Sequence, residues 1–342
     1  MQEELGEPKY RAQQLWQWLW QKCATDFVAM SNISQKTRER LATCATIVWP
    51  KIVTTQQSRD GTTKFLLELE DGCRIECVLI PSEGHDGKVR WALCLSTQVG
   101  CPMGCTFCAT GKLGFKRNLT MAEILGQVLV ARAHMGDNRP DHPIVRNLVF
   151  MGMGEPLLNQ KELFRALEVL NDPKGLAFSP RRITVSTCGI DGGMAALGQC
   201  GLAYLAVSLH APTQELREQI MPGAARLPLD ELMAQLRLYP LKTREYITFE
   251  YLLLEGVNDS PDHARALARL VSQIGQHRAK LNLIVYNGVA GSAFRAPSEA
   301  RVLAFERVLW DKQVTAIVRA SKGRDIDAAC GQLAARDTRS EP

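Results

Sequence analysis

The chain has 342 residues and 46% of them are hydrophobic, enough for one large core with a small appendage. Net charge is only +5, from 41 Lys and Arg against 36 Asp and Glu, which permits a nucleic-acid partner without demanding one. Eleven cysteines, an odd number, argue against a secreted disulfide framework. No apolar run reaches the ~18 residues of a membrane span and no signal-peptide pattern opens the chain, so it reads as a cytoplasmic protein of a reducing compartment, away from membranes.

Residues 1–47 read as a small helical unit. Leu15, Trp16, Leu19 and Trp20 recur at helical spacing within Tyr10–Lys22, and Ser31–Cys44 predicts a second helix carrying Lys36, Arg38 and Arg40. The tryptophans suit the core of that unit better than base-stacking platforms. Residues 48–89 predict a β-hairpin extension, with Thr62–Leu69 and Cys73–Ile80 flanking the turn signal Glu70-Asp71-Gly72 and a loop over Ser82–Lys88.

From residue 90 to 334 strand-like and helical patterns alternate. The strands are expected at Trp91–Gln98, Asn147–Met153, Arg182–Cys188, Ala203–His210, Tyr246–Leu254, Lys280–Tyr286 and Val314–Arg319. Helical patterns between them include Met121–Met135, Gln160–Leu170, Leu229–Leu238 and Pro261–Ile274. Such alternation implies a parallel sheet curled into a full or partial barrel, with sites at the carboxyl ends of the strands. Residues 335–342 read as a frayed tail. Side-chain alternation puts Cys94, Ser96 and Gln98 on one strand face, Thr184, Ser186 and Cys188 on another, and Ser208 with His210 on a third. Those faces predict a polar barrel interior that holds a ligand, or else a set of satisfied buried hydroxyls.

After the first barrel strand comes Cys101-Pro102-Met103-Gly104-Cys105-Thr106-Phe107-Cys108, three cysteines at Cys-x3-Cys-x2-Cys spacing. Three thiolates of one loop can hold three irons of a 4Fe–4S cluster and leave the fourth iron open to a small molecule. The competing reading is a zinc loop with Cys94 or Cys188 as a further ligand. Basic residues cluster at Lys112, Lys116 and Arg117, at Arg181 and Arg182, and at Arg319, Lys322 and Arg324, where they are solvated faces or phosphate contacts. By residue type alone Cys330 reads as a buried cysteine of an amphipathic helix and Glu76 as an exposed strand residue. Cys23, Cys44, Cys73, Cys77, Cys188 and Cys200 read as structural.

The cysteine loop resembles the signature of radical S-adenosylmethionine (SAM) enzymes. From about Tyr10 to Leu333 the chain resembles the RlmN/Cfr family of radical SAM adenine methylases. The resemblance is carried by Gly61-Thr62-Thr63-Lys64, Gln98-Val99-Gly100-Cys101, Gly152-Met153-Gly154-Glu155-Pro156, Ser208-Leu209-His210, Val257-Asn258-Asp259 and the run from Gly323 to Leu333. It implies a partial (β/α) barrel of the radical SAM type, with a 4Fe–4S cluster on Cys101, Cys105 and Cys108. It implies SAM held by Gly154, Glu155, Ser186, Ser208, Leu209, His210 and Asn287. Cys330 is implied as methyl carrier: one SAM methylates its thiolate, a radical cut from a second SAM activates the methyl, and the resulting carbon radical adds to adenine. Cys94 is implied to release the product by attacking the Cys330 sulfur, forming a disulfide, with Glu76 as general base. The implied partners are 23S rRNA, for some members a tRNA anticodon-loop adenine, and an electron donor such as flavodoxin. Val99 and Pro156 resemble the carbon 2 methylases of the RlmN type more than the carbon 8 methylases of the Cfr type, while Asn287-Gly288 lacks the proline that often follows the asparagine. A non-catalytic metal-binding RNA-binding protein is the competing reading from another class.

Overall fold

The computed structural model describes residues 6–84, 87–137, 143–275 and 277–335. Two helices come first, α1 (Lys9–Trp20) and α2 (Gln35–Cys44). The Ser34 hydroxyl caps α2 by accepting the Thr37 N–H at 3.3 Å, so the helix starts later than the periodicity from Ser31 suggests. Trp16 and Trp20 meet edge to face at 5.6 Å and pack on the main core. Leu15, Trp18 and Leu19 close a smaller cluster around Met30 and Ile33. The tryptophans are core, as their spacing predicts.

Next come β1 (Lys51–Gln57), β2 (Thr63–Glu68), β3 (Arg74–Glu83) and β4 (Val89–Cys94). The expected hairpin is β2–β3. The sequence reading misses β1, a largely exposed edge strand with no alternation to reveal it. The hairpin does not stand apart, because β3 pairs antiparallel with β4 from Val78↔Cys94 to Glu83↔Val89. That pairing extends β3 to Glu83, into the segment expected to be a loop; His85 and Asp86 of that segment lie outside the described residues.

The rest follows as β5 (Gln98–Gly100), α3 (Ala109–Lys112), β6 (Phe115–Asn118), α4 (Met121–His134), β7 (Val145–Phe150), α5 (Gln160–Asn171), β8 (Ile183–Thr187), α6 (Gly193–Cys200), β9 (Tyr204–Ser208), α7 (Gln214–Ile220), α8 (Leu229–Arg237), β10 (Ile247–Leu253), α9 (Pro261–Ser272), β11 (Ala279–Val285), α10 (Glu299–Asp311) and β12 (Ala316–Arg319). One sheet runs β1-β2-β3-β4-β7-β8-β9-β10-β11-β12, antiparallel up to β4 and parallel from there on. Each parallel strand neighbours its predecessor, the arrangement of a (β/α) barrel. Strands β4 and β7 to β12 all face one cavity, so the sheet is curved around it, with β1 and β12 as its two edges.

Helices cover the outer face. α4 begins with a capping box between Thr120 and Glu123 and buries Ile124, Leu125 and Val128; α5 buries Leu163, Leu167 and Leu170. They join Leu93, Leu148 and Val185 of the strands in the main core. Every strand expected after residue 90 is present, mostly trimmed at its ends, but the first is broken: β4 stops at Cys94, and Gln98 belongs to a separate two-stranded ribbon of β5 and β6. Cys330 lies in irregular chain after a short turn at Arg324–Ile326, not in the helix expected on residue type. Of the expected tail, Ala335 is held in place and residues 336–342 lie outside the described residues. No helix among the described residues is long and apolar enough to cross a membrane.

Candidate active site

The three-cysteine loop leaves β5 through Gly100, whose φ of +75° suits glycine and where a Cβ would sit 1.9 Å from the Gly114 carbonyl oxygen. The Cys101 N–H donates to that same carbonyl at 2.8 Å. From the other side the end of α7 grips the loop: Thr106 N–H donates to the Ile220 carbonyl and Gly223 N–H to that of Met103, both at 3.0 Å. Cys101, Cys105 and Cys108 thus share the wall of a cavity of about 160 Å³. Burial pushes the Cys101 thiol up to about 12 and Cys105 well above its ordinary value, so metal ligation here must displace protons.

The facing wall comes from the carboxyl ends of β7 to β11. Gly154 adopts φ +103°, and a Cβ there would lie 2.5 Å from Cβ of Gln98. Gln98 is buried scaffolding rather than cavity lining: its Oε1 accepts the Glu155 N–H at 2.8 Å and its Nε2 donates to Asn118 Oδ1 at 2.8 Å. Ser96 is scaffolding too, donating to the Glu76 carbonyl at 2.6 Å and accepting the Met153 N–H at 2.8 Å. Of the first polar face only Cys94 reaches a cavity, because the strand ends there.

Glu155 lines the cysteine cavity, with Oε1 accepting the Leu157 N–H at 3.0 Å and Oε2 that of Cys188 at 2.9 Å, and burial pushes its carboxyl up. The hydroxyls of Ser186 and Ser208 lie 3.4 Å apart on neighbouring strand ends. His210 is held in the left-handed region, φ 51°, by Asn258, whose Nδ2 donates to its carbonyl at 2.8 Å. His210 Nδ1 accepts the Leu252 N–H at 3.0 Å, so Nε2 carries the proton. Burial, then the nearby Arg217 charge, pushes this imidazole down to about 3, leaving a neutral N–H donor in the cavity wall. The Leu209 side chain is fully buried and does not border the cavity. Asn287, just beyond β11, is 3% exposed, yet neither its amide nitrogen nor its oxygen has a partner. A buried amide left unpaired is costly, and a polar ligand would satisfy it. Asn287 itself borders neither cavity; the three thiols, the Glu155 carboxylate, the two serine hydroxyls and the His210 N–H of the cavity wall fit an iron–sulfur cluster together with an amino-acid-bearing cofactor.

A second cavity of about 590 Å³ opens beside the first. Cys330, Cys108 and Glu250 border both. Cys94 lines the larger one as well, and both Cys94 and Cys330 are free thiols. Cys330 is exposed to the cavity space although protein walls it closely, and that crowding, then the Glu250 charge, pushes its thiol up to about 11. Burial and the neighbouring Cys330 push Cys94 up as well. The Cys330 segment is clamped from two sides. Ser58 donates to Asp325 at 2.5 Å, Gly323 N–H to Asp60 at 2.9 Å and Lys64 to the Asp327 carbonyl at 3.3 Å. From the cysteine loop, Ala109 N–H donates to the Gly331 carbonyl at 2.7 Å and the Thr110 hydroxyl to that of Leu333 at 2.6 Å.

Glu76 is neither exposed nor among the residues bordering the two cavities. Its Oε1 lies 3.1 Å from Lys64 Nζ, and its Oε2 accepts the N–H groups of Ala334 and Ala335 at 2.7 and 2.9 Å. It therefore anchors the chain that follows Cys330. Both partners of this ion pair are almost fully buried, so Lys64→Met leaves a buried carboxylate without its cation. We expect a loss of about 3–5 kcal/mol in urea unfolding; a loss under 1 kcal/mol, the size of an exposed pair, counts against this role.

The basic clusters divide. Arg181, Arg182, Arg319 and Lys322 converge on the large cavity, joined by Lys280 of β11, which sequence reasoning missed. Arg117 is instead paired with Asp71 and Glu123, each at 2.8 Å. Cys188, expected to be structural, lines the cysteine cavity with Sγ 3.2 Å from Met103 Sδ. Glu250 and Asn282, hydrogen-bonded at 2.8 Å, were also missed. The available signal was a lone acidic residue inside the apolar strand Ile247–Leu253.

Residues 2–47 match the family model of the ribosomal RNA large subunit methyltransferase N-terminal domain, and residues 95–268 that of the radical SAM superfamily. The chain is 68% identical over 333 residues to the dual-specificity RNA methyltransferase RlmN of Nitratidesulfovibrio vulgaris (strain Miyazaki F), spanning 97% of this chain and 90% of that protein. To the protein of the same name from Lawsonia intracellularis it is 58% identical over 329 residues, spanning 96% and 91%. The crystal structure of a radical SAM methyltransferase from Sphaerobacter thermophilus matches with TM-score 0.88 and 39% identity, over 98% of this chain and 96% of that one.

Proposed function

Because the chain belongs to the RlmN family of radical SAM RNA methyltransferases, we propose that its two adjoining cavities share one reaction, with Cys330 passing a carbon between them. The reaction is methylation of carbon 2 of adenine in 23S rRNA and in tRNA, and the cofactors are a 4Fe–4S cluster and SAM. Bound together, the cofactors supply a carbon-centred radical, the reagent that an electrophilic ring carbon requires. The observation that carries this reading is the position of Cys330 on both cavity walls. A methyl carrier must meet the donor on one side and the base on the other.

Cys101, Cys105 and Cys108 hold the cluster. Gly154 lets the chain approach the cofactor closely, and Glu155 offers a carboxylate to the ammonium of SAM. Ser186, Ser208, the Leu209 backbone, the His210 Nε2–H and the Asn287 amide orient the remainder. Cys330 takes the methyl group as a thiolate, and Glu250 is the carboxylate that faces it to accept the thiol proton. Cys94 frees the product by attacking the Cys330 sulfur. Glu76, the general base implied by the resemblance, borders neither cavity, and to accept the proton of the RNA adduct it would have to leave the Lys64 ammonium as well as the Ala334 and Ala335 amides.

The Arg181, Arg182, Lys280, Arg319 and Lys322 rim meets phosphates around the flipped base, as base-modifying enzymes need. A flavodoxin-type donor supplies electrons in the cytoplasm. The test is anaerobic incubation of the reconstituted protein with SAM and a 23S rRNA fragment, followed by mass spectrometry of the nucleosides. We expect 2-methyladenosine; 8-methyladenosine would mean Cfr-type chemistry, and no methylation would refute the reading.

A further inference from the structure

Arg217 heads the fully buried side chains ranked by size, at 0% exposure. It sits on α7, whose carboxyl end grips the Cys101–Cys108 loop through the Ile220 carbonyl, while the turn beyond it bonds Met103. Its guanidinium donates only to main-chain carbonyls: Leu209 at 3.5 Å, Cys188 at 2.5 Å and Ala224 at 3.3 Å. Its Nε has no acceptor. None of the ion pairs among the described residues includes it. The contrast within this chain is Arg132, equally inaccessible but paired with Asp137 at 3.7 Å.

A buried charge is retained at large cost unless an opposite charge offsets it. Carbonyl dipoles solvate a guanidinium, but they do not neutralise it. The acidic groups nearest in effect are thiols: Cys105, a loop cysteine, and Cys188, which lines the same cavity. Once the loop carries a 4Fe–4S cluster, two positive core charges against three thiolates leave one net negative charge. One-electron reduction adds another. Arg217 is tied to the wall of that cavity through the Cys188 carbonyl, and its helix holds the loop that would carry the anion.

We propose that Arg217 is the buried counter-charge of the iron–sulfur cluster, and that it holds the cluster's reduction potential up. The inference rests on the cluster reading of the three-cysteine loop. Its physical basis is that the reduced cluster is the more negative state, so a fixed cation in a dry environment stabilises it more than the oxidised one. Leaving this arginine without a carboxylate has a direct consequence. An acidic partner beside it would cancel the field where the electron arrives.

The test is a redox titration of anaerobically reconstituted holoprotein without SAM, followed by electron paramagnetic resonance, with iron and sulfide assays and circular dichroism. Arg217→Gln keeps amide donors for the carbonyls but removes the charge. We expect it to bind the cluster with the reduced fraction at fixed potential lowered about tenfold, near 59 mV for a one-electron couple. Arg217→Lys keeps the charge and should keep the wild-type potential. A loaded, folded Arg217→Gln protein at the wild-type potential overturns the proposal, since a guanidinium that only ties carbonyls would leave the potential unmoved. Should Arg217→Gln not fold, Arg217→Lys decides: wild-type iron content and potential support the counter-charge, and a displaced potential or lost iron in a folded protein overturns it. A wild-type protein that takes up no iron fails at an earlier point, because it removes the cluster reading itself.

Discussion

Replacing Cys101, Cys105 or Cys108 by alanine should abolish both cluster assembly and reductive cleavage of SAM. On the proposed ligand set each thiolate would hold one iron, so losing one would open a second iron to solvent where only one should be exposed. Cys188 lines the same cavity but is no ready substitute: it belongs to the chain after β8, and its sulfur packs 3.2 Å from Met103 Sδ of the loop. The fold should survive. The loop is fixed by backbone bonds from Cys101, Thr106 and Gly223 that need no cysteine side chain. The expected result is therefore a soluble, folded, colourless protein with iron and sulfide near zero and no 5′-deoxyadenosine on reduction in the presence of SAM. A brown, SAM-cleaving cluster in any one of the three variants would remove that cysteine from the ligand set.

Much of the barrel was legible because its strands are short apolar runs punctuated by helices, and such periodicity survives in sequence. The places where the reading slipped have physical causes. Trp91–Gln98 reads as one strand because alternation continues past Cys94. Gln127 ends it by satisfying both the N–H and the carbonyl of Ser96 at 2.9 Å, leaving no ladder bonds there. β1 was invisible because an exposed edge strand needs no buried face. The three-cysteine loop was legible by spacing alone. Glu76, Cys94 and Cys330 were not: their assignment came from resemblance, since nothing local marks a lone cysteine or glutamate. The structure adds what brings Cys94 and Cys330 together, the clamp on the Cys330 segment by Ser58, Asp60 and Lys64 from the far end of the sheet. Those contacts span more than 250 residues of sequence, and no pattern within a window can carry them. Arg217 and Glu250 escaped for a related reason. A charged residue on an ordinary helix or strand reads as surface until burial is known.

Cys94 and Cys330 face one cavity as free thiols, and they should fail at different stages when removed. On the proposed roles Cys330 would be needed before any carbon–carbon bond forms, because it would carry the carbon. Cys94 is needed afterwards. Once the adduct has lost its ring proton and returned its odd electron to the oxidised cluster, the Cys94 thiolate would attack the Cys330 sulfur: the S–S bond forms, the electron pair of the broken carbon–sulfur bond stays on carbon, and that carbon takes a proton to complete the methyl group. Burial, then the neighbouring Cys330, raises the Cys94 thiol above its ordinary value. Cys94→Ala should still load a methyl group and still add to adenine, then stall with RNA joined to the protein through a methylene bridge. Cys330→Ala should give neither adduct nor product. A denaturing gel reveals the protein–RNA species, and mass spectrometry of the Cys330 peptide identifies the bridge. Free methyladenosine at the wild-type yield from Cys94→Ala would show that release uses another group.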